Sequence, residues 1–340
     1  MKPNTAEIRV DGVTYFVPAY FIGQLTVVVT GKWLKTATIR DESVVEGAGV
    51  EDPDLFVKAL KDARSGADLF TFSQKPTEVT PKFACYHEWD NVAAVPVSTF
   101  DQWWENLPQE SRKNVRRATK RGVEVKVVPF DDDLVRGIHH IYSSCPIRQG
   151  RPFWHYGKNF ETVKQEHATY LSRSDFIGAY HNGELIGFIK MVYVDSVATL
   201  FHIVANEAHH DKRPMNAMVA KAVEVCASRG VKYFIYGKYT YGNKTASPLA
   251  EFKRRNGFQQ IDFPQYYLPL TLWGKIALKL GAHRGVNGML PPNVLIFLVG
   301  VRRRIRETFF ALRGRQPGRE PVAREAGGRE NEGASEGSAV

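Results

Sequence analysis

The chain has 340 residues, 43% hydrophobic and 24% charged, which fits a soluble globular protein of two domains, or one large domain with extensions. Its three cysteines, Cys85, Cys145 and Cys226, are widely spaced and form no C-x-x-C pair, so neither a zinc site nor a disulfide framework is expected, and no other metal site is read. The formal charge of +10 is unevenly placed: residues 1–97 hold 10 Lys and Arg against 13 Asp and Glu, so the positive charge lies downstream, where anionic partners are expected. The opening MKPNTAEIRVDG lacks the apolar run of a signal peptide, and no run of ~18 apolar residues occurs. A cytoplasmic location is therefore expected.

In chain order, EIRVDGVTYFVP reads as two strands around Asp11–Gly12, and LTVVVTGKWLKTATIRD as another pair. PDLFVKALKDAR has helical spacing at Leu55, Phe56, Leu60 and Ala63. ADLFTFSQ and NVAAVPVSTF complete a strand-rich unit over 1–97. A long helix is expected from about Phe100 to Arg121, stopped by Gly122, and then the strand VEVKVVP. LVRGIHHIYSSC and FETVKQEHATYLS read as helices flanking the loop PIRQGRPFWHYGKNF. Three antiparallel strands follow over 175–206, with turns at Asn182–Gly183 and near Asp195. Helix PMNAMVAKAVEVCASRG, strand VKYFIYGKY, helix PLAEFKRRNG and strand FQQIDFPQYYLPL complete a unit over 98–271. Residues 272–312 form a basic, apolar helical extension, and 313–340, rich in Gly, Glu and Arg, read as a disordered tail.

This order of helices and strands from 133 to 270 resembles the GCN5-related N-acetyltransferase (GNAT) fold. LPQESRKNVRRATKRGVEV resembles the basic helix that opens the second unit of FemAB-like acyltransferases, which pair two GNAT-like units. YFIYGKYTYGNKTASPLAEFKRRNGF resembles the segment that closes that unit. The resemblance implies an α/β (α+β) class: a GNAT-like mixed sheet flanked by helices, with a smaller, partial GNAT-like unit at the N-terminus. It also implies an active site where two adjacent parallel strands splay apart, here about 197–206 and 232–240. The family's last helix often ends F-Y-x-x-x-G-F, its Tyr protonating a departing thiolate. In LAEFKRRNGF the aligned positions are Phe252 and Lys253. Acetyl-CoA-using members usually place a Gly-rich turn before the central helix; the matching NEAHHDKRPMNAM has no glycine to let a backbone approach a pyrophosphate.

Acyl transfer to an amine requires loss of an amine proton, stabilisation of an oxyanion and protonation of the leaving group. Lys253 and His202 are the catalytic candidates. Arg148, Trp154 and His155 in the aromatic loop, with Tyr236, Lys238, Tyr239 and Asn243 in YGKYTYGNK, are substrate-binding candidates. Lys212, Arg213 and Arg116 are candidates for donor phosphates. Arg116 belongs to RKNVRRATKR, where basic residues at 112, 116 and 120 and at 113, 117 and 121 form neighbouring stripes.

The expected function is FemAB-like transfer of an acyl or aminoacyl group onto an amine of a small molecule or peptide. No covalently bound cofactor is expected; acyl-CoA or aminoacyl-tRNA serves as cosubstrate. Two rivals stand beside it: an acetyl-CoA-dependent N-acetyltransferase, and a nonenzymatic GNAT-fold module that binds RNA or membrane. The basic stripes would serve a tRNA, and the apolar run Val294–Val301 with Arg302, Arg303, Arg304 and Arg306 would rest on the inner face of an anionic membrane.

Overall fold

Two strand meanders, each ending in a helical crossover to a parallel strand, form most of the twelve-stranded sheet of the computed structural model, which describes residues 3–10, 13–148, 151–240 and 247–284. The first meander is β1 (Asn4–Val10), β2 (Val13–Ile22), β3 (Leu25–Thr30) and β4 (Thr36–Ile39). Helix α1 (Pro53–Asp62) then crosses to β5 (Leu69–Ser73), which pairs parallel with β4 from Thr36–Leu69 to Thr38–Thr71. The start of α1 is fixed locally: Pro53 opens it, and the Asp52 carboxylate accepts from the amides of Asp54 and Leu55. Its buried face, Phe56 and Leu60, packs on the sheet, with Phe56 stacked on Phe70 at 5.4 Å.

The connection onward runs through β6 (His87–Pro96), α2 (Phe100–Asn106), α3 (Gln109–Lys120), β7 (Val123–Val128) and α4 (Asp132–Ser143). A short hairpin of β8 (Ile147–Arg148) and β9 (Arg151–Pro152) leads to α5 (Phe160–His167). The second meander is β10 (Ser174–His181), β11 (Glu184–Val194) and β12 (Val197–Ala205), turning at Asn182–Gly183 and Asp195, all three at positive φ. Helix α6 (Pro214–Ser228) crosses to β13 (Tyr233–Ile235), parallel to β12 from Val197–Tyr233 to Thr199–Ile235. The chain continues through α7 (Pro248–Arg255), β14 (Gln259–Pro269) and α8 (Leu272–Lys279). The sheet order is β1-β2-β3-β4-β5-β14-β6-β13-β12-β11-β10-β7.

The two largest core clusters of the described residues lie one in each half. One cluster joins Val27, Phe56, Phe70 and Phe72 of the first half with Tyr266 of β14. The other joins α6 with β10–β13 and with Trp103 and Phe258. Helices α4 and α5 cover the opposite face of the second half, around Ile138, Val163 and Phe188.

Three sequence expectations need correction. The helix over 100–121 is two helices, because Pro108 forces Leu107 into extended backbone (φ −69, ψ 144). The strand expected over 232–240 is regular only over Tyr233–Ile235; beyond it the chain leaves β12. The loop expected over 146–160 holds the β8–β9 hairpin. Of the expected extension, only α8 and the residues to 284 are described; the rest, with 294–306 and the tail, lies outside the described residues.

The end of α7 is clamped by three other helices. The Trp103 indole donates to the Asn256 carbonyl (3.2 Å), the Ser111 hydroxyl to the Arg255 carbonyl (2.5 Å), and the Asn216 amide to the Asn256 side chain (3.1 Å). Gly257 follows at φ 81, where a β-carbon would lie 2.8 Å from the Trp103 ring nitrogen. Gly257→Ala is therefore expected to destabilise the protein by about 2 kcal/mol or more, through backbone strain and loss of the clamp. Thermal or denaturant unfolding of the variant measures it, and a loss below about 0.5 kcal/mol would contradict the clamp.

Candidate active site

After Thr199–Ile235 the parallel pair separates: β12 continues along β11 to Ala205, whereas β13 ends. Helix α7 delivers Lys253 beside that opening. Its start is set by Ser247, whose hydroxyl accepts from the Ala250 amide (3.0 Å), and by Pro248 at the first helical position. Lys253 is fully buried; its Nζ donates to the Lys238 carbonyl (2.6 Å) and lies 4.4 Å from the centre of the Tyr236 ring. Burial lowers its pKa to about 8. The neighbouring Arg254 and Arg255 behave differently: both point outward and both bond Glu251. The last turn of α7 thus carries one inward and two outward cations.

Around the opening, Tyr236 and Tyr239 pack on the core, and Lys238 pairs with Asp90 at 2.8 Å. Asn243 lies outside the described residues. His202 is not beside Lys253 in any contact of the described residues. It joins a polar cluster under α4 and α5, with its ring 4.6 Å from that of His167 and 6.4 Å from that of His155. His155 is buried between Tyr142 and the exposed Trp154, and the Lys158 Nζ lies 4.0 Å from the centre of the Trp154 ring and 3.3 Å from the His155 Nδ1. Lys158 also bonds Glu166 (2.8 Å), and buried Lys190 donates to the His167 and Thr169 carbonyls. Burial first, and then neighbouring cations, lowers the imidazole pKa values to about 3 for His155, about 2 for His167 and about 4 for His202. All three are neutral near neutrality. Arg148 holds the aromatic loop to the end of β12, bonding Glu207 (3.2 Å) and the Ala205 carbonyl.

The approach to α6 is a 3₁₀ turn over Glu207–Lys212, followed by Arg213 in the left-handed region. Asn206 caps the turn through the Ala208 amide. Lys212 faces Asp211 (3.5 Å), which also receives Arg121 (2.8 Å). Arg213 is exposed. Arg116 lies over the Trp104 ring at 5.6 Å, so the described contacts do not bring it to Lys212 and Arg213.

Sequence reasoning missed Glu42. A second 3₁₀ turn, Glu42–Val44, follows β4 as Glu207–Lys212 follows β12. Its Glu42 carboxylate lines a cavity of about 390 Å³ over the seam between the halves, together with Thr199, Ile235 and Gly237 from the separating strands. Glu42 accepts from the Ser73 amide (2.7 Å), and burial raises its pKa to about 7 against the effect of the Ser73 bonds. In ESVVEGAGVED nothing local marks that residue; only the pairing of the two halves places it. Among the described residues no group of three or more His, Cys, Asp or Glu is placed to hold a metal, and no helix is long and apolar enough to cross a membrane.

Residues 136–258 match the Acetyltransferase (GNAT) family. No curated protein matches the sequence. Solved structures with a similar fold include FemX (10% identity, TM-score 0.51, covering 82% of this chain and 90% of that one). The C-terminal domain of a protein named as a lysylphosphatidylglycerol synthetase from Agrobacterium fabrum is similar at 13% identity and TM-score 0.50 (77% and 86% covered). L-PGS from Bacillus licheniformis is similar at 12% identity and TM-score 0.50 (77% and 88% covered). These likenesses concern the fold.

The neutral histidines make stability depend on pH. Unfolded imidazoles bind protons near pH 6.5, whereas the folded ones resist them, so this contribution is full above about pH 6.5 and is lost as the pH falls toward the folded values. The expected slope is up to about 1.4 kcal/mol per pH unit for each fully buried imidazole. Denaturant unfolding between about pH 7 and 5 should show this acid limb. It should be shallower in His167→Gln; an identical slope in that variant would contradict the assignment.

Proposed function

We propose that this chain, which carries a GNAT-fold acyltransferase domain in a FemAB-like arrangement, moves an acyl or aminoacyl group onto an amine, with the bond-making step at the opening between β12 and β13. The observation that carries this reading is the burial of Lys253 beside that opening, apart from the surface arginines of the same turn. A buried Lys brings a compact positive charge and up to three donors, which suits negative charge developing on oxygen. Its lowered pKa leaves it mostly protonated at neutral pH. It would stabilise the tetrahedral oxyanion and an oxygen leaving group.

The turn before α6 supports the same preference in donor. A pyrophosphate cradle needs free backbone amides at a helix start. Here that place is occupied by a 3₁₀ turn carrying Glu207 and Asp211, and Pro214 contributes no amide. Lys212 and Arg213 would instead meet a phosphate by side chain. We therefore favour an aminoacyl ester such as aminoacyl-tRNA as donor, the exposed basic residues of α3 contributing to its docking. The remaining roles follow from position. Tyr236, Lys238 and Tyr239 would frame the donor carbonyl, and Arg148, Trp154, His155 and His202, which gather under α4 and α5, have no role in holding the acceptor in this reading. The family match favours acetyl-CoA as the second donor to test; stabilisation of the fold by acetyl-CoA near its dissociation constant would support it.

The test compares Lys253→Met with Arg254→Met, both checked for folding. A transfer-rate loss of about 100-fold or more for Lys253→Met alone is expected, in line with loss of one oxyanion donor. Equal, mild losses would remove Lys253 from the reaction. Separately, replacing Arg112, Arg116 and Arg117 by Gln should weaken binding of tRNA while leaving the melting temperature within about 2 °C. Unfolding of that variant would make the stripe structural.

A further inference from the structure

The seam cavity has apolar walls from both halves. Leu25, Ile39 and Val50 come from the first, and Val197, Leu200 and Phe201 from the second. Glu42 interrupts them with a carboxylate, and the neighbouring cations of the described residues are engaged elsewhere. Lys75, which lines the same cavity, pairs with Asp195. Arg40 is beside Asp41 at 3.6 Å, and Arg173 bonds the Val44 carbonyl (2.7 Å) and pairs with Glu46 (3.3 Å). No cation among the described residues pairs with Glu42. A carboxylate among apolar walls is costly unless a cation joins it. Ser73 fixes its position without neutralising it.

We propose that the seam cavity binds a primary ammonium group carried on an apolar body, with Glu42 as the anionic partner, and that this cation is the acceptor of the transfer. The second half of the statement rests on the acyltransferase reading above; the first half does not. The cavity reaches the reaction site because Thr199 and Ile235, the last parallel pair, and Gly237 line it, while Lys253 bonds the next carbonyl, that of Lys238. The Glu42 carboxylate thus lines the cavity that reaches Ile235 and Gly237, and Lys253 is bonded to the chain just beyond them.

The chemistry balances with these groups. The bound R–NH3⁺ gives one proton to the Glu42 carboxylate, and the amine lone pair forms the C–N bond to the donor carbonyl. The carbonyl electron pair moves to oxygen and returns as the bond to the leaving oxygen breaks. The second amine proton leaves with that oxygen as an alcohol, and the third stays on the amide. Glu42 then releases its proton to solvent. Its pKa near 7 suits both directions of this exchange.

Binding without any donor isolates the first half of the proposal. Isothermal titration of the full chain at about pH 8, where an alkylamine is charged and the carboxylate ionised, compares n-octylamine, 1-octanol and n-butylamine. Octylamine is expected to bind about 10-fold or more tighter than either, reflecting a hydrogen bond to a charged group plus apolar burial. Glu42→Gln should reduce octylamine to the level of octanol with a melting temperature no lower than that of the unaltered chain, since it removes an unpaired buried charge. Val45→Trp, which narrows the cavity and keeps Glu42, should weaken both. Equal binding of octylamine and octanol by the unaltered chain, no binding of octylamine, or an amine preference that survives Glu42→Gln would overturn the site. If octylamine binds through Glu42 but Lys253→Met leaves transfer intact, the site stands and the assignment of Lys253 falls.

Discussion

Strand β14 holds the two halves of the protein in one sheet. It pairs with β5 through Gln265–Pro269 and with β6 through Gln259–Tyr266, so neither half has a free edge at the seam. Tyr266 is fully buried there; its ring stacks on Phe72 at 5.0 Å, and its hydroxyl donates to Gln74 (2.8 Å) while accepting from the Lys82 amide (2.9 Å). Because α7 runs directly into β14, the same strand fixes where Lys253 points. The Phe258 amide bonds the Lys253 carbonyl (3.0 Å), tying the end of the helix to the start of the strand. The cavity, the carboxylate and the buried lysine all depend on this continuity.

The halves are built alike, and the likeness explains how a site arises between them. In each, a parallel pair of three residues ends and a 3₁₀ turn leaves the upstream strand. In the second half that turn leads into α6 and carries Asp211 and Lys212 as neighbours. In the first half it turns Glu42 back over the seam. Buried ionisable groups are costly, and Glu42, Lys190 and Lys253 are among those of the described residues. Lys190 is fully satisfied by the His167 and Thr169 oxygens and has a structural explanation. Among the described residues Glu42 has no cation partner, which is why it, and not Lys190, marks a place for a ligand.

Much of this was legible in the sequence because the signals are local. The turns at Asn182–Gly183 and Asp195, the Pro-opened helices and the alternation in β10–β12 set the second meander. The Ser–Pro start of α7 and the Gly257 stop placed Lys253 on a short helix whose phase turns it inward. The break at Pro108 was also local, but the helical charge pattern around it masked it. What could not be read was long-range. His155, His167 and His202 come together from a loop, a helix and a strand, and His167 and Lys190 carried no motif. Glu42 lies in a turn whose meaning depends on residues more than 150 positions away, which only the sheet order brings near.

The seam is proposed to be a transfer centre. The most direct measurement follows a labelled aminoacyl group from a mixed pool of aminoacyl-tRNA in the presence of a panel of primary amines. An ester to tRNA is cleaved by mild base, whereas an amide is not. Label is expected in a base-stable amide, formed only when protein and amine are both present. Label that stays on tRNA and is lost at the same rate with and without the protein would contradict it.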